Sequence, residues 1–467
     1  MITANADYPT VSLLLGLVAG SFALVVSSPV WALAPILFTE LTLPGQMIES
    51  LGVSLRLVVV LSAATMTVFV VARCGLFGDG RARRVLLPAL ILIALATLGN
   101  ALSSDADYVL KYFRYQIVQL VTLVLAAALL RDRSDLKRLA VFALTIGLAS
   151  AGSAIWQHYD RESAIYGPAS PLYVAGWKGR VLGLTESPVM LANDLIFILL
   201  PLLGLLAVSP LRLDRTRALL LAAAFVLGAG LYFTYTRSAV AGVAAGLAAI
   251  GLCLKGDRRK IILGVVVLVF VLFELLRGTG LIGYRYYRDA SNDNSAASRE
   301  ALRAVGIAIA LDNSLVGIGR DNFERMAVEY GDDVELDELA LRGEKAIGRE
   351  RPHNDFLGVW ASWGLPALVA YLAMFIGTLA NYLAAARRAD RLVRGLAIGC
   401  VGGLVAYGLN SAYHNSLDSS TYLFMYAGLS IALARLPAWS AALSRGRRRL
   451  LTGSALAAVP RVQLHSP

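Results

Sequence analysis

Long apolar runs alternate with short polar segments along almost the whole chain. A transmembrane helix needs about 20 largely apolar residues, because the hydrocarbon core of a bilayer is about 30 Å thick. Helices satisfy their backbone hydrogen bonds within one segment, which lets them cross it. The runs therefore predict an all-α polytopic membrane protein. Clear examples occupy 11–26, 57–71, 85–98, 191–208, 218–233, 239–254 and 261–276.

Six of the polar segments are basic, and they determine the predicted topology. Loops rich in Lys and Arg stay on the cytoplasmic side of a membrane, so an even number of spans must separate neighbouring basic loops. The interval 218–254 has room for two minimal spans, which makes TYTRS at 234–238 the tip of a helical hairpin on the opposite side. The basic segments lie at 73–84, 131–138, 212–217, 255–260, 387–394 and 445–449.

The same parity predicts about twelve spans with both termini in the cytoplasm. The first falls within 9–43, where Pro29 and Pro35 leave open one broken helix or two, and we favour one. The remaining spans are predicted at 52–72, 85–101, 110–130, 138–157, 188–209, 217–235, 238–255, 260–277, 355–385, 393–411 and 420–436.

The spans divide the chain into four parts. Residues 1–277 form the N-terminal part of a helix bundle, 278–353 a large periplasmic loop, 354–436 the C-terminal membrane helices and 437–467 a cytoplasmic tail. The loop contains 10 Lys or Arg and 14 Asp or Glu residues, so it is acidic where the inner loops are basic. This contrast agrees with an outward-facing loop.

Short helices are predicted within the large loop, which indicates that it folds. Ser298 has the side chain of an N-cap, and the spacing of Leu302, Val305 and Ile309 places them on one apolar helix face. Loops of this length usually carry function when they are ordered. Two more short helices are predicted at 321–330 and 334–342.

Composition narrows the class of protein further. The chain is 57% hydrophobic and 16% charged, which excludes a soluble enzyme, a disordered chain and a disulfide scaffold. The net charge of +11 lies largely in short loops between spans, so it indicates membrane topology rather than nucleic-acid binding. The three cysteines have no metal-site or disulfide spacing. The sequence also has no P-loop and no zinc- or serine-hydrolase motif.

His353 is the first candidate for chemistry. Pro352 suits the first position of a helix, so His353 is predicted to lie in the first turn of the span at 355–385. The positive end of that helix attracts an anion and disfavours protonation of an imidazole. A neutral imidazole beside an anion site is what a general base requires. The alternative interpretation is a capping or interfacial histidine.

Three arginines are predicted on the same side of the membrane. Arg237 lies at the hairpin tip, Arg180 just before the span at 188–209, and Arg299 in the large loop. A planar guanidinium suits bidentate contact with a phosphate. The alternative is that each is a snorkelling or solvated charge.

Asp105 and Asp107 form a carboxylate pair in another outer loop. Such a pair can hold a divalent cation against a diphosphate. We favour the simpler interpretation, a solvated turn.

Four stretches carry recognisable motifs. RVLGLTESPVMLAN at 180–193 matches an Arg-x-x-Gly segment followed by Pro and Asn, and YTRSA at 235–239 matches a Thr/Ser-Arg-Ser/Gly segment. NSLVGIGRDNF at 313–323 matches NPLLGxGxGNF, with Ser314 where Pro is usual. HNDFL at 353–357, with glycine and leucine further on, matches HNxxL…GxxG. Together they resemble the O-antigen ligase family, which shares its core with O-antigen polymerases and pilin-type oligosaccharyltransferases.

The resemblance implies a GT-C-like glycosyltransferase in the bacterial inner (cytoplasmic) membrane, with its active site on the periplasmic face. Such an enzyme moves polysaccharide from undecaprenyl diphosphate to a sugar of lipid A–core in lipopolysaccharide biosynthesis. By the same resemblance, His353 is the catalytic residue, and Arg180, Arg237 and Arg299 bind the donor diphosphate. The resemblance implies no metal, nucleotide or other cofactor.

Other functions remain open at this point. An O-antigen polymerase or a protein O-oligosaccharyltransferase would use the same chemistry. One large and one medium outer loop favour the ligase over the polymerase, which typically has two large loops. A transporter of lipid-linked sugar is the remaining alternative, although it has no need of a base at the start of a helix.

Overall fold

The described part of the chain contains helices joined by turns and loops, with no strand. The structure is a computed structural model that describes residues 28–34, 36–37, 67–68, 71, 75–103, 106–160, 180–185, 187–210, 214–264, 266–267, 294–336, 338–341, 344–388, 390–415, 417 and 421–451.

The principal helices follow the apolar runs closely. They are α1 Gly80–Ser103, α2 Ala106–Leu129, α3 Arg133–Tyr159, α4 Pro188–Val208, α5 Arg215–Phe233, α6 Arg237–Cys253, α7 Asn294–Asp312, α8 Phe323–Gly331, α9 Glu338–Leu341, α10 Asp355–Ala386, α11 Arg391–Ser411 and α12 Tyr422–Leu451. Within the described ranges, seven helices are long and apolar enough to cross a membrane, namely α1 to α5, α10 and α11. Helix α6 and the first part of α12 (Tyr422–Leu436) are shorter apolar helices.

These helices confirm a membrane-helix architecture, while the number twelve stays a prediction. The predicted spans at 9–43, 52–72 and 260–277 lie largely outside the described residues. Helix α12 continues past the predicted end of the last span to Leu451. The predicted tail at 437–467 therefore begins as a continuation of that helix.

Aspartate N-caps start three of the helices where a charged segment gives way to an apolar run. Asp132, Asp214 and Asp390 cap α3, α5 and α11, each accepting a hydrogen bond from a backbone N–H of the first turn. An N-cap of this kind contributes about 1 kcal/mol because it satisfies a free helical donor. These three aspartates explain why the helices begin directly at the basic segments.

Helix α11 lies at the centre of the bundle and packs against α4, α6 and α10. The contact with α4 is close because glycines face each other: a Cβ at Gly204 would lie 2.4 Å from the backbone nitrogen of Gly399. Small residues let helix backbones approach and gain dispersion contacts, which is the main attraction between helices in lipid.

The basic segments meet at one end of the bundle, here called the basic end. Arg133 pairs with Asp390 at 3.2 Å, and Arg435 pairs with Asp79 at 3.2 Å. Arg258 donates hydrogen bonds to the last carbonyls of α4, at Ala207 and Val208. These contacts join segments far apart in sequence, as the parity argument requires for loops on one side of a membrane.

The described part of the large loop forms a small helical layer on α10. Leu302, Val305 and Ile309 of α7 are fully buried, and they pack with Phe323 and Leu357. The predicted apolar face is therefore confirmed. The helix predicted at 321–330 is also confirmed, as a 3-10 turn at Arg320–Asn322 followed by α8.

Two predictions for this loop were wrong in their boundaries. Ser298 is not an N-cap, because α7 already includes Asn294. Ala297 is buried, so packing favours a helix that begins before Ser298, although serine is a typical N-cap residue. The helix expected at 334–342 is reduced to α9, Glu338–Leu341.

Candidate functional site

Three helices begin at the end of the bundle opposite the basic end, here called the site end. They are α4, α6 and α10, with N-caps Ser187, Thr236 and Asn354. The first residues of a helix carry free N–H groups and a partial positive charge. Several such ends in one region favour a bound anion.

The predicted hairpin tip is confirmed at the site end. Helix α5 ends at Phe233 and α6 begins at Arg237, so only three residues join them. Tyr235 has a φ of 51°, a left-handed conformation that lets the chain reverse within this short link. Arg237 is the first residue of α6, and its side chain is exposed.

Arg180 holds this tip from a separate segment. Its Nε donates to the carbonyl of Thr234 at 2.8 Å, and one terminal nitrogen donates to Oγ1 of Thr236 at 2.8 Å. A guanidinium can make both bonds at once because its donors form a rigid fork. Arg180 thus fixes the link that immediately precedes Arg237.

The segment of Arg180 is itself fixed by Gln157, which lies at the end of α3 and is buried. The side-chain oxygen of Gln157 accepts from the backbone N–H groups of Leu182 and Gly183 at 2.9 and 3.0 Å. Its amide nitrogen donates to the carbonyl of Gly183 at 2.9 Å. Gln157 therefore makes three hydrogen bonds to this segment, and two of them are with the backbone of Gly183, the glycine of the Arg-x-x-Gly motif.

His414 lies in the short link after α11, and the sequence analysis did not identify it. Its Nε2 is 2.9 Å from Oγ of Ser238, the residue after Arg237. Burial, the largest cause, lowers the pKa of His414 to about 3, and the charges of Arg299, His353 and Arg180 contribute to that shift. These charges can act on His414 only from nearby.

Three of the four candidate residues therefore lie near enough to His414 to affect its pKa, and the fourth adjoins its hydrogen-bond partner. Arg180, Arg299 and His353 belong to separate segments that are far apart in sequence, yet all three affect the same imidazole. Arg237 is one residue from Ser238. Among the described residues, His414 is thus the common neighbour of the candidate residues.

A buried carboxylate explains how the His414 link reaches His353. Both carboxylate oxygens of Asp355 accept the backbone N–H of Leu417, at 3.0 and 3.1 Å. Asp355 is the first residue of α10 and is fully buried. The bond ties the link that carries His414 to the start of the helix that follows His353.

The prediction that His353 lies in the first turn of α10 is wrong. Asn354 is the N-cap, and its side-chain oxygen accepts the N–H of Leu357 at 3.1 Å. His353 precedes the cap and has a φ of 45°, which a helix does not allow. Its Nε2 is 2.9 Å from a carboxylate oxygen of Glu350. The side chain is about one-third exposed (33%).

The glycines in the other two motifs have a structural explanation. Helix α10 is interrupted at Gly364, which has φ 83° and ψ 171°. The NSLVGIGRDNF segment packs against this interruption: the N–H of Ile318 donates to Ala361, and that of Leu365 donates to Ser314. A Cβ at Gly364 would lie 2.3 Å from the carbonyl oxygen of Leu315. The backbones therefore require glycine there.

The signal for the residues that the sequence analysis missed was weak but present. His414 and Asn415 repeat the His-Asn pair of the HNDFL motif within a short polar link. Gln157 is a polar residue at the end of an apolar run. Neither feature specifies a contact, since both partners lie on distant segments.

No cluster of three potential metal ligands occurs among the residues that the structure describes. Asp105 and the side chain of Asp107 lie outside those residues.

Comparison with protein-family models gives a match that covers part of the candidate site. The family model Wzy_C, described as O-Antigen ligase, matches residues 222–372. This segment includes the hairpin tip, α7 and the start of α10. A search of curated proteins gives no match.

Proposed function

Because residues 222–372 match the model of the O-antigen ligase family, we propose that this protein is an O-antigen ligase. It is an inverting, metal-independent glycosyltransferase of the bacterial inner membrane, with its active site on the periplasmic face. The donor is polysaccharide on undecaprenyl diphosphate, and the acceptor is a sugar hydroxyl of lipid A–core. The observation that supports this proposal is that the charges of Arg180, Arg299 and His353 all act on the pKa of His414, whose hydrogen-bond partner Ser238 follows Arg237.

The arginines match the charge that develops during transfer. When the bond from the sugar to the diphosphate breaks, negative charge grows on the diphosphate oxygens. Fixed cations stabilise that charge without reorganisation, which typically contributes 10²- to 10³-fold in rate for one donor. Arg180 and Arg237 are suited to this role because the first fixes the backbone that carries the second.

His353 supplies the base. The acceptor hydroxyl must lose its proton as its oxygen attacks the anomeric carbon, and a neutral imidazole can take it. Glu350 accepts a hydrogen bond from one ring nitrogen when that nitrogen carries a proton, so the other is left to act as the base. A single attack from the face opposite the leaving diphosphate inverts the configuration of the sugar.

The assay uses purified protein, lipid-linked glycan and lipid A–core, with chelator and without nucleotide. We expect the wild type to transfer glycan and His353→Ala to lose at least about 10²-fold in rate, because general base catalysis contributes 10²- to 10⁴-fold. His465→Ala, in the predicted tail, is the matched control and should retain activity.

The same assay separates the other functions. Glycan lengthening without lipid A–core would indicate a polymerase, and transfer to a peptide hydroxyl would indicate a protein O-oligosaccharyltransferase. Movement of lipid-linked glycan between leaflets without any transfer would indicate a transporter. Transfer by His353→Ala at the wild-type rate would refute the proposal that His353 is the general base.

A further inference from the structure

His414 lies beside the candidate residues and has no role in the steps above. It lies on a link anchored at both sides: Asn410 donates to Asn193 before it, and Leu417 donates to Asp355 after it. Asn410 and Asp355 are fully buried. The position of the imidazole is therefore fixed by contacts to α4 and α10, not by its own loop alone.

The surroundings of His414 keep it uncharged. Arg180 and Arg299, and also His353 when it is protonated, lie near enough for their charges to oppose protonation of His414, and burial opposes it more strongly. A neutral imidazole has one N–H donor and one acceptor nitrogen. Each nitrogen therefore has a different function, and the partner of one decides the function of the other.

Ser238 can select which nitrogen is the donor. Its hydroxyl is 2.9 Å from Nε2, and a serine hydroxyl can donate its proton to that nitrogen. Nδ1 then carries the ring proton. Within the described part of the chain, the structure gives His414 no other hydrogen bond than the one to Ser238, so the Nδ1 proton has no protein partner there.

We propose that His414 binds the donor diphosphate directly, with Nδ1–H donating a hydrogen bond to a phosphate oxygen while Ser238 fixes the tautomer. This inference rests on the proposed function for the identity of the ligand. The neutral Nδ1–H group adds a hydrogen bond to the diphosphate without adding a fourth positive charge to a site that already has Arg180, Arg237 and Arg299. The site thus combines cations for charge with one uncharged group for orientation.

Two substitutions separate the two nitrogens of the ring. In His414→Asn the side-chain amide nitrogen can occupy the place of Nδ1, whereas in His414→Gln it reaches the place of Nε2 and Ser238. Binding of undecaprenyl diphosphate without glycan is measured by calorimetry in detergent. We expect His414→Gln to bind about 10- to 100-fold more weakly, the usual value of a hydrogen bond to a charged group. His414→Asn should retain most of the affinity.

Tyr413→Phe is the matched control, because Tyr413 is an exposed neighbour in the same link, and it should bind as the wild type does. Equal losses in His414→Asn, His414→Gln and His414→Ala would indicate a structural latch and overturn the proposal. Wild-type affinity in His414→Gln would overturn it as well. If a His414 variant does not fold, Ser238→Ala replaces it: roughly 3-fold weaker binding is expected, and unchanged affinity overturns the proposal.

The transfer assay distinguishes failure of this inference from failure of the proposed function. Loss of diphosphate affinity in His414→Gln, in a protein that transfers no glycan, would support the inference and remove the proposed function. Full affinity in His414→Gln with normal transfer would do the reverse. If the inference and the proposed function are both correct, His414→Gln should raise the KM for the glycan donor and leave the KM for lipid A–core unchanged. A wild type that binds no undecaprenyl diphosphate would overturn the inference.

Discussion

Arginines lie at both ends of this bundle, but their surroundings differ. At the basic end, Arg258 meets the C-terminal carbonyls of α4, and Arg133 meets the carboxylate of Asp390. At the site end, Arg180 reaches the start of α6, and Arg299 lies near the partly buried imidazole of His414. A cation at a helix C-terminus is stabilised by the helix dipole, whereas one near helix N-termini is opposed by it.

The difference indicates which end is built for a ligand. The contacts of the basic end contribute to stability and need nothing from outside the protein. The site end collects positive charge from side chains and from three helix N-termini, and an anion would relieve the repulsion. Residue type alone does not separate the two ends, because both contain the same side chain.

The largest effect is expected for Arg180→Ala. The substitution removes both hydrogen bonds to the hairpin tip and one cation from the site, so kcat/KM for the donor should fall roughly 10²- to 10³-fold. Steady-state transfer kinetics measure this. Arg180→Lys should recover little, because one ammonium group does not reproduce the fork geometry. Rates near wild type in Arg180→Ala would contradict the assignment of the site end as the ligand-binding end.

A loss of stability is expected for Gly364→Ala. The side chain would meet a backbone carbonyl in a conformation almost exclusive to glycine, which costs about 3 kcal/mol in free energy of unfolding. Thermal unfolding in detergent measures the change. Gly228→Ala is the matched control: it lies within α5 with no atom within 4 Å of the added Cβ, so its stability should stay equal or rise. Equal melting temperatures for the two variants would refute the proposed requirement for glycine.

Arg258→Ala tests the basic end, where only stability should respond. Losing the two hydrogen bonds to α4 is expected to lower the free energy of unfolding by about 1–2 kcal/mol. Thermal unfolding and transfer kinetics are measured on the same sample. At a temperature well below unfolding, kcat/KM should equal that of the wild type. A tenfold loss of activity would mean that the two ends are not functionally distinct.

A pH dependence of stability is expected from His414. Its pKa falls from 6.5 to about 3 on folding, so the unfolded chain binds the proton more tightly. The contribution of His414 to stability is therefore present above pH 6.5 and is lost as pH falls toward 3. The expected loss is about 1 kcal/mol per pH unit between pH 6 and pH 4. Melting curves of the wild type and of His414→Gln, recorded at each pH, isolate this contribution. If both proteins lose the same stability as the pH falls, the lowered pKa of His414 is refuted.

The sequence by itself determined the helical membrane architecture and the hairpin. A span is a local property, since every backbone hydrogen bond closes within the segment. The basic loops add the condition that an even number of spans lies between neighbouring loops. This condition located Arg237 correctly at the tip between α5 and α6. The sequence motifs resemble those of the O-antigen ligase family, and the model of that family matches residues 222–372.

Only the tertiary structure decided which polar residues meet. Gln157 with Gly183, Asp355 with Leu417 and Ser238 with His414 are contacts between segments far apart in the chain. No periodicity encodes them, because packing of apolar helix faces brings the ends together. The backbone at His353 was also decided there, since competition between Asn354 and Pro352 for the helix start depends on the cap that the folded chain can form.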